Sequence, residues 1–127
     1  MGNDVSSEKN QVDELTLRQA QSEVANYLEA KGEKWTNEHD PFFRLTFLIE
    51  EVGELARAVI NVEAKTVEPN RRGANSSQEA KLAMVKNELG DILYHIFGTA
   101  GAYGIDIQDA FQSSMKTIKT KYPIKTS

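Results

Sequence analysis

The run Phe47-Leu48-Ile49-Glu50-Glu51-Val52-Gly53-Glu54-Leu55 sets three carboxylates within five residues of an otherwise apolar stretch. In a helix, side chains three and four apart share a face. Glu51 and Glu54 would then project together beside a stripe of Leu48, Val52, Leu55 and Val59. Glu88-Leu89-Gly90-Asp91 repeats the device, with Glu88 and Asp91 three apart beside Val85, Leu89, Ile92 and Ile96. Taken singly, such acids are ordinary solvated groups. As two pairs on two packed helices they crowd like charge at the border of a core, where each group must either hold its proton or share a cation. Oxygen ligands in a chain without Cys favour Mg²⁺, with Mn²⁺ also suitable, over Zn²⁺. Mg²⁺ also takes phosphate oxygens readily. Glu51, Glu54, Glu88 and Asp91 are therefore the expected metal ligands.

Glu50-Glu51-Val52-Gly53-Glu54 followed by Glu88-Leu89-Gly90-Asp91 resembles the Glu-Glu-x-x-Glu and Glu-x-x-Asp signature of the MazG-like all-α nucleoside triphosphate pyrophosphohydrolases. That family takes in dCTP pyrophosphatase and dimeric dUTPase relatives. The likeness runs from about Leu17 to Pro123, through Trp35, His39-x-Pro41, Gly104-Ile105-Asp106 and Lys121-Tyr122-Pro123. It implies an all-α, four-helix MazG-like bundle that assembles as a homodimer or homotetramer. The implied activity is Mg²⁺-dependent cleavage of an NTP or dNTP, ordinary or damaged, to monophosphate and pyrophosphate, a house-cleaning of the nucleotide pool. Catalysis would fall to Glu50, Glu51 and Glu54, with water attacking a phosphorus beside the cation. Glu50 is turned about 100° from Glu51, and three roles stay open for it: accepting the water's proton, completing the metal shell, or facing solvent.

Substrate contacts are implied at Trp35, His39, Lys116, Lys119 and Tyr122. An aromatic plate stacks on a base and an imidazole hydrogen-bonds its edge, although Trp35 would equally serve as a core anchor and His39 as a surface cap. Lys116 and Lys119 would meet phosphate, or form a solvated basic flank near a helix C-terminus. The chain departs from the pattern at Ser114 and Ile118, where many relatives carry Lys and Asn. His95, one turn beyond Asp91, reads either as a partner of the acids or as an ordinary helix histidine. Arg71 and Arg72 read as solvated loop residues.

A chain of 127 residues is one domain long enough to bury a core. Apolar content of 39% and charged content of 27% fit a soluble globular protein. A net charge of -4 argues against a nucleic-acid polymer as partner. No run is apolar enough to span or enter a membrane, and the absence of Cys fits a reducing, cytoplasmic setting. Residues 1–13 read as a polar tail, matching the short N-myristoylation pattern only formally, and 14–127 as the enzyme domain.

Spacing places the first helix over 15–30, with Gly32 as its stop. Asp40 and Pro41 open a second, to about Ala64. A turn-rich loop spans 66–77. Ser77 or Ser76 opens a third helix, running to about Ala102. Tyr103-Gly104 breaks it, and Asp106 opens a fourth, to about Lys121, burying Ile107, Phe111, Met115 or Ser114, Ile118 and Tyr122.

Two other readings compete. A di-iron bundle calls for Glu-x-x-His on two helices, which His95 does not satisfy. A non-catalytic helical oligomerisation or partner-binding module would have no need of acids at a core border.

Overall fold

Helices α1 (Leu17–Lys31), α2 (Pro41–Glu63), α3 (Gln78–Ala102) and α4 (Ile107–Lys121) make up the protein, with no strand among the described residues. The computed structural model describes residues 14–32, 40–64, 73 and 75–125. The tail 1–13, Trp35, His39, Arg71 and Arg72 lie outside them.

Each helix begins where a side chain satisfies the otherwise unpaired N–H groups of its first turn. Gln19 N–H donates to Thr16 Oγ1 at 3.1 Å while Thr16 N–H donates to Gln19 Oε1 at 2.8 Å, a reciprocal box that starts α1 two residues later than its apolar spacing suggests. Asp40 accepts from Phe42 N–H at 2.9 Å ahead of Pro41. Ser77 accepts from Ala80 N–H at 3.2 Å, and Asp106 from Gln108 N–H at 2.9 Å. At the other end of α3, Ile105 N–H reaches back to Ala100 O at 2.9 Å around Gly104, whose φ of 64° a side chain would resist.

The main pairing is α2 against α3; α1 lies on α3, and α4 on α1. Leu28, Ala58, Phe97 and Ala100 are the buried apolar residues. One fully buried side chain is charged: Arg44 is 1% exposed and lies against Gly98 and over the Tyr94 ring, 5.3 Å from its centroid. A Cβ at Gly98 would fall 3.0 Å from the Arg44 guanidinium, so the missing side chain is what admits the arginine. The Tyr27 and Tyr94 rings meet edge-on at 6.3 Å and tie α1 to α3.

The α1–α4 contact is largely polar. Arg18 Nε donates to Asp106 Oδ2 at 2.7 Å and its Nη2 to Asp109 Oδ1 at 3.2 Å. Gln21 donates from Nε2 to Ile105 O at 2.7 Å and accepts from Ile107 N–H at 2.8 Å. All of these bonds hold the base of α4.

Two expectations of burial need correction. In α2, Val52 and Val59 are exposed, and in α3 so is Leu89; the inward line of α2 is instead Arg44, Leu48, Glu51, Leu55 and Ala58. Leu48 and Leu55 of the expected α2 stripe thus do turn inward, while Val52, Val59 and Leu89 are left uncovered by the described residues. No residue of α4 is buried either, and Phe111, Ile118 and Tyr122 are exposed. Periodicity reports that a helix has an apolar face, not that its own chain covers that face.

Candidate metal centre

Glu51 enters from α2, and Glu88 and Asp91 from successive turns of α3, across the main helix pairing of the fold. One carboxylate oxygen from each lies within 4.8 Å of the other two. Glu51 and Glu88 are half-buried and Asp91 opens to solvent, so the cluster has a dry floor and a wet mouth. The helix pair is held on both sides of it, by Arg44 seated at Gly98 and by buried Ala58 and Asn61.

Crowding shows in the protonation of the group. Glu51 is pushed up to about 7, first because its carboxyl shares a hydrogen bond with Glu88, then by burial, then by the charges of Glu88, Asp91 and Glu50. Glu88 Oε2 is sealed from solvent and has no hydrogen-bond donor among the described residues. A buried carboxylate oxygen without a donor among the described residues, beside two more acids, suits a hard divalent cation. The residues present therefore fit Mg²⁺ or Mn²⁺, by their oxygen chemistry and by that orphaned atom.

The remaining candidates are distributed differently. Glu54 stands outside the three-acid group and pairs instead with Arg57, one turn along, at 3.6 Å. Glu50 is exposed. Lys116, Lys119 and Tyr122 are exposed on or just beyond α4, which packs on α1 rather than on the α2–α3 pair. Lys121 Nζ lies 5.4 Å over the Tyr122 ring. Trp35 and His39 fall outside the described residues.

His95 stacks on Phe47, ring centroids 5.8 Å apart at 24°, and meets Tyr94 edge-on at 5.1 Å. Sequence reasoning missed Phe47, although it lies one turn before Glu51 and so on the same face. It missed Arg44 as well; the signal was Gly98, a helix-interior glycine one turn beyond Tyr94.

Residues 44–125 match the family model of the MazG nucleotide pyrophosphohydrolase domain. A protein of Bacillus subtilis (strain 168), the uncharacterised YvdC, is 32% identical over 108 residues, covering 85% of this chain and 97% of that protein. Rat (Rattus norvegicus) dCTP pyrophosphatase 1 is 31% identical over 93 residues, 73% of this chain and 52% of that protein. The chain belongs to the MazG nucleotide pyrophosphohydrolase family, and is a nucleoside triphosphate pyrophosphatase by class.

Proposed function

We propose that the chain is a Mg²⁺-dependent pyrophosphohydrolase that cleaves an NTP or dNTP to the monophosphate and pyrophosphate. The observation that supports this most is the three-carboxylate group of Glu51, Glu88 and Asp91, with its donorless buried Glu88 oxygen. When bound there, a divalent ion supplies positive charge against the phosphoryl oxygens and lowers the pKa of water beside it. Glu51, Glu88 and Asp91 would hold the ion. Glu54, paired with Arg57 here, would be a further oxygen donor to it. Glu50, exposed next to the cluster, accepts the proton of the attacking water. Lys116, Lys119 and Tyr122 contact the substrate's phosphates, and Trp35 and His39 its base. The setting is the cytoplasm; among the described residues no helix is long and apolar enough to cross a membrane.

A homo-oligomer is part of this reading. Val52, Val59, Leu82, Leu89 and Leu93 leave an apolar flank on the α2–α3 pair that an identical flank of a second copy would cover.

A panel of ordinary and damaged triphosphates with Mg²⁺, assayed for pyrophosphate, tests the activity. Glu51→Ala and Asp91→Ala should each lower turnover by at least a thousandfold with helical content unchanged. Full pyrophosphate release by either variant would refute the assignment of the centre.

A further inference from the structure

Glu51, Glu88 and Asp91 repel one another across α2 and α3 when ionised, so their neighbours must impose the spacing of the two helices at that level. Contacts along the pair rise on α2 as they descend on α3. Arg44 lies against Gly98, Phe47 on His95, and Glu51 beside Asp91 and Glu88. The helices are therefore antiparallel, and the Phe47–His95 stack stands one turn, about 6 Å, from the acids along both of them.

The stack is braced. Its rings lie 5.8 Å apart at 24°, and Tyr94 meets the edge of His95 at 5.1 Å. Tyr94 is itself held between Tyr27 of α1, edge-on at 6.3 Å, and the Arg44 guanidinium, 5.3 Å from its centroid. Arg44 is seated in turn at Gly98. Burying a guanidinium is costly, and apolar side chains would join two helices as firmly. What this arrangement adds is a fixed position for His95. That residue is one turn from Asp91, yet no ring nitrogen of it joins the three acids; its ring packs on Phe47 instead.

We propose that the Phe47–His95 stack is a spacer that sets the width of the cation site and thereby its choice of Mg²⁺ over the larger Ca²⁺. This rests on the metal-centre reading above and adds the residues that tune it. Mg²⁺ demands a near-ideal octahedron of oxygens at about 2.0 to 2.1 Å, whereas Ca²⁺ accepts irregular shells at about 2.3 to 2.6 Å. A gap held by a braced ring pair suits the first ion, and a gap free to adjust suits the second. Phe47 and His95 are positioning residues, acting through Glu51 and Asp91.

Isothermal titration calorimetry of chelator-stripped protein with Mg²⁺ and with Ca²⁺, without nucleotide, gives the two dissociation constants; circular dichroism checks each variant's fold. Phe47→Leu and His95→Leu each remove one plate, from opposite helices. Each should move the ratio of the two constants about tenfold toward Ca²⁺. His95→Phe keeps a stack and should keep the wild-type ratio. Ala58→Gly loosens α2 on the far side of the acids and should weaken both ions by a common factor. Where a leucine variant unfolds, Tyr94→Leu, which withdraws the brace and leaves both plates, decides by the same shift. A ratio that stays at the wild-type value, including a common loss of both affinities, or a His95→Phe ratio shifted like that of His95→Leu, would overturn the proposal. Wild-type protein that binds neither ion defeats the metal centre and the spacer with it. Wild-type binding with an unchanged ratio in the variants defeats the spacer alone.

Discussion

Without a cation, the acid centre should make this protein less stable as pH rises, against the usual behaviour of carboxylates. Glu51 stands at about 7 in the folded chain against an ordinary 4.5, because Glu88 shares a hydrogen bond with it and the site is partly dry. A folded-state value above the unfolded one means that the native state holds the proton more tightly. The associated stability is fully present below about pH 4.5 and is lost as pH rises through about 7. For a sealed pair, that difference corresponds to about 3 kcal/mol. The Asp91 side is open to water, and screening brings the expected loss to about 1 kcal/mol. For a domain of this size that is about 3 to 5 °C in unfolding midpoint. The assay is thermal unfolding in chelator from pH 5 to 8, repeated with excess Mg²⁺. Mg²⁺ binds the deprotonated site, so its stabilising effect should grow over the same interval. Glu51→Gln, which cannot ionise, should remove this part of the pH dependence. An apo midpoint that rises steadily to pH 8, or a Glu51→Gln profile that superimposes on the wild type, would refute the account of the cluster.

Gly98→Ala should destabilise the fold by about 1 kcal/mol or more in urea, since crowding against the buried Arg44 guanidinium exceeds the gain in helix propensity. A more stable variant would show that the arginine is free to shift. Gly101→Ala, with open space around it, should instead stabilise by about 0.5 to 1 kcal/mol in the same measurement. Asp106→Ala removes both a helix cap and the partner of Arg18, and should cost about 1 to 2 kcal/mol. Its hydrogen exchange should quicken in α4 and leave the central turns of α2 and α3 unchanged. If Trp35 stacks on the base, its fluorescence should change on adding triphosphate with Ca²⁺ in place of Mg²⁺; an unchanged spectrum at saturation would remove it from the site.

The ends of the helices were legible because local chemistry sets them. Asp40 with Pro41 and Asp106 cap where the sequence places them, Ser77 rather than Ser76 caps α3, and Gly32 closes α1 in the left-handed region its φ of 68° requires. The Thr16–Gln19 box was overlooked because apolar spacing continues through Leu15, and spacing does not see hydrogen bonds. Choosing the inward face of α2 was harder. Phe42, Leu45, Ile49, Val52, Val59 and Ile60 are all apolar and all exposed, so hydrophobicity points around much of the helix. The face that turns inward carries Arg44 and Glu51, which no hydrophobic pattern would select. The acid spacing anticipated the meeting of Glu51, Glu88 and Asp91, because one turn of α3 fixes two of them and helix pairing supplies the third. It did not anticipate Glu54 at Arg57, a choice between two neighbours that only rotamers make.

The reciprocal box at Thr16 and the caps at Asp40, Ser77 and Asp106 have a consequence for how this protein is made. Each rod carries its own starting instruction in the residues beside it, so helical turns form on the microsecond scale before any tertiary partner arrives. By the time α3 has wound, Glu88 and Asp91 already stand at their final separation. Assembling the centre then needs one distant event, the arrival of α2 with Arg44 finding the gap at Gly98. A substitution that blocks that gap should delay the birth of the centre without slowing the winding of either rod.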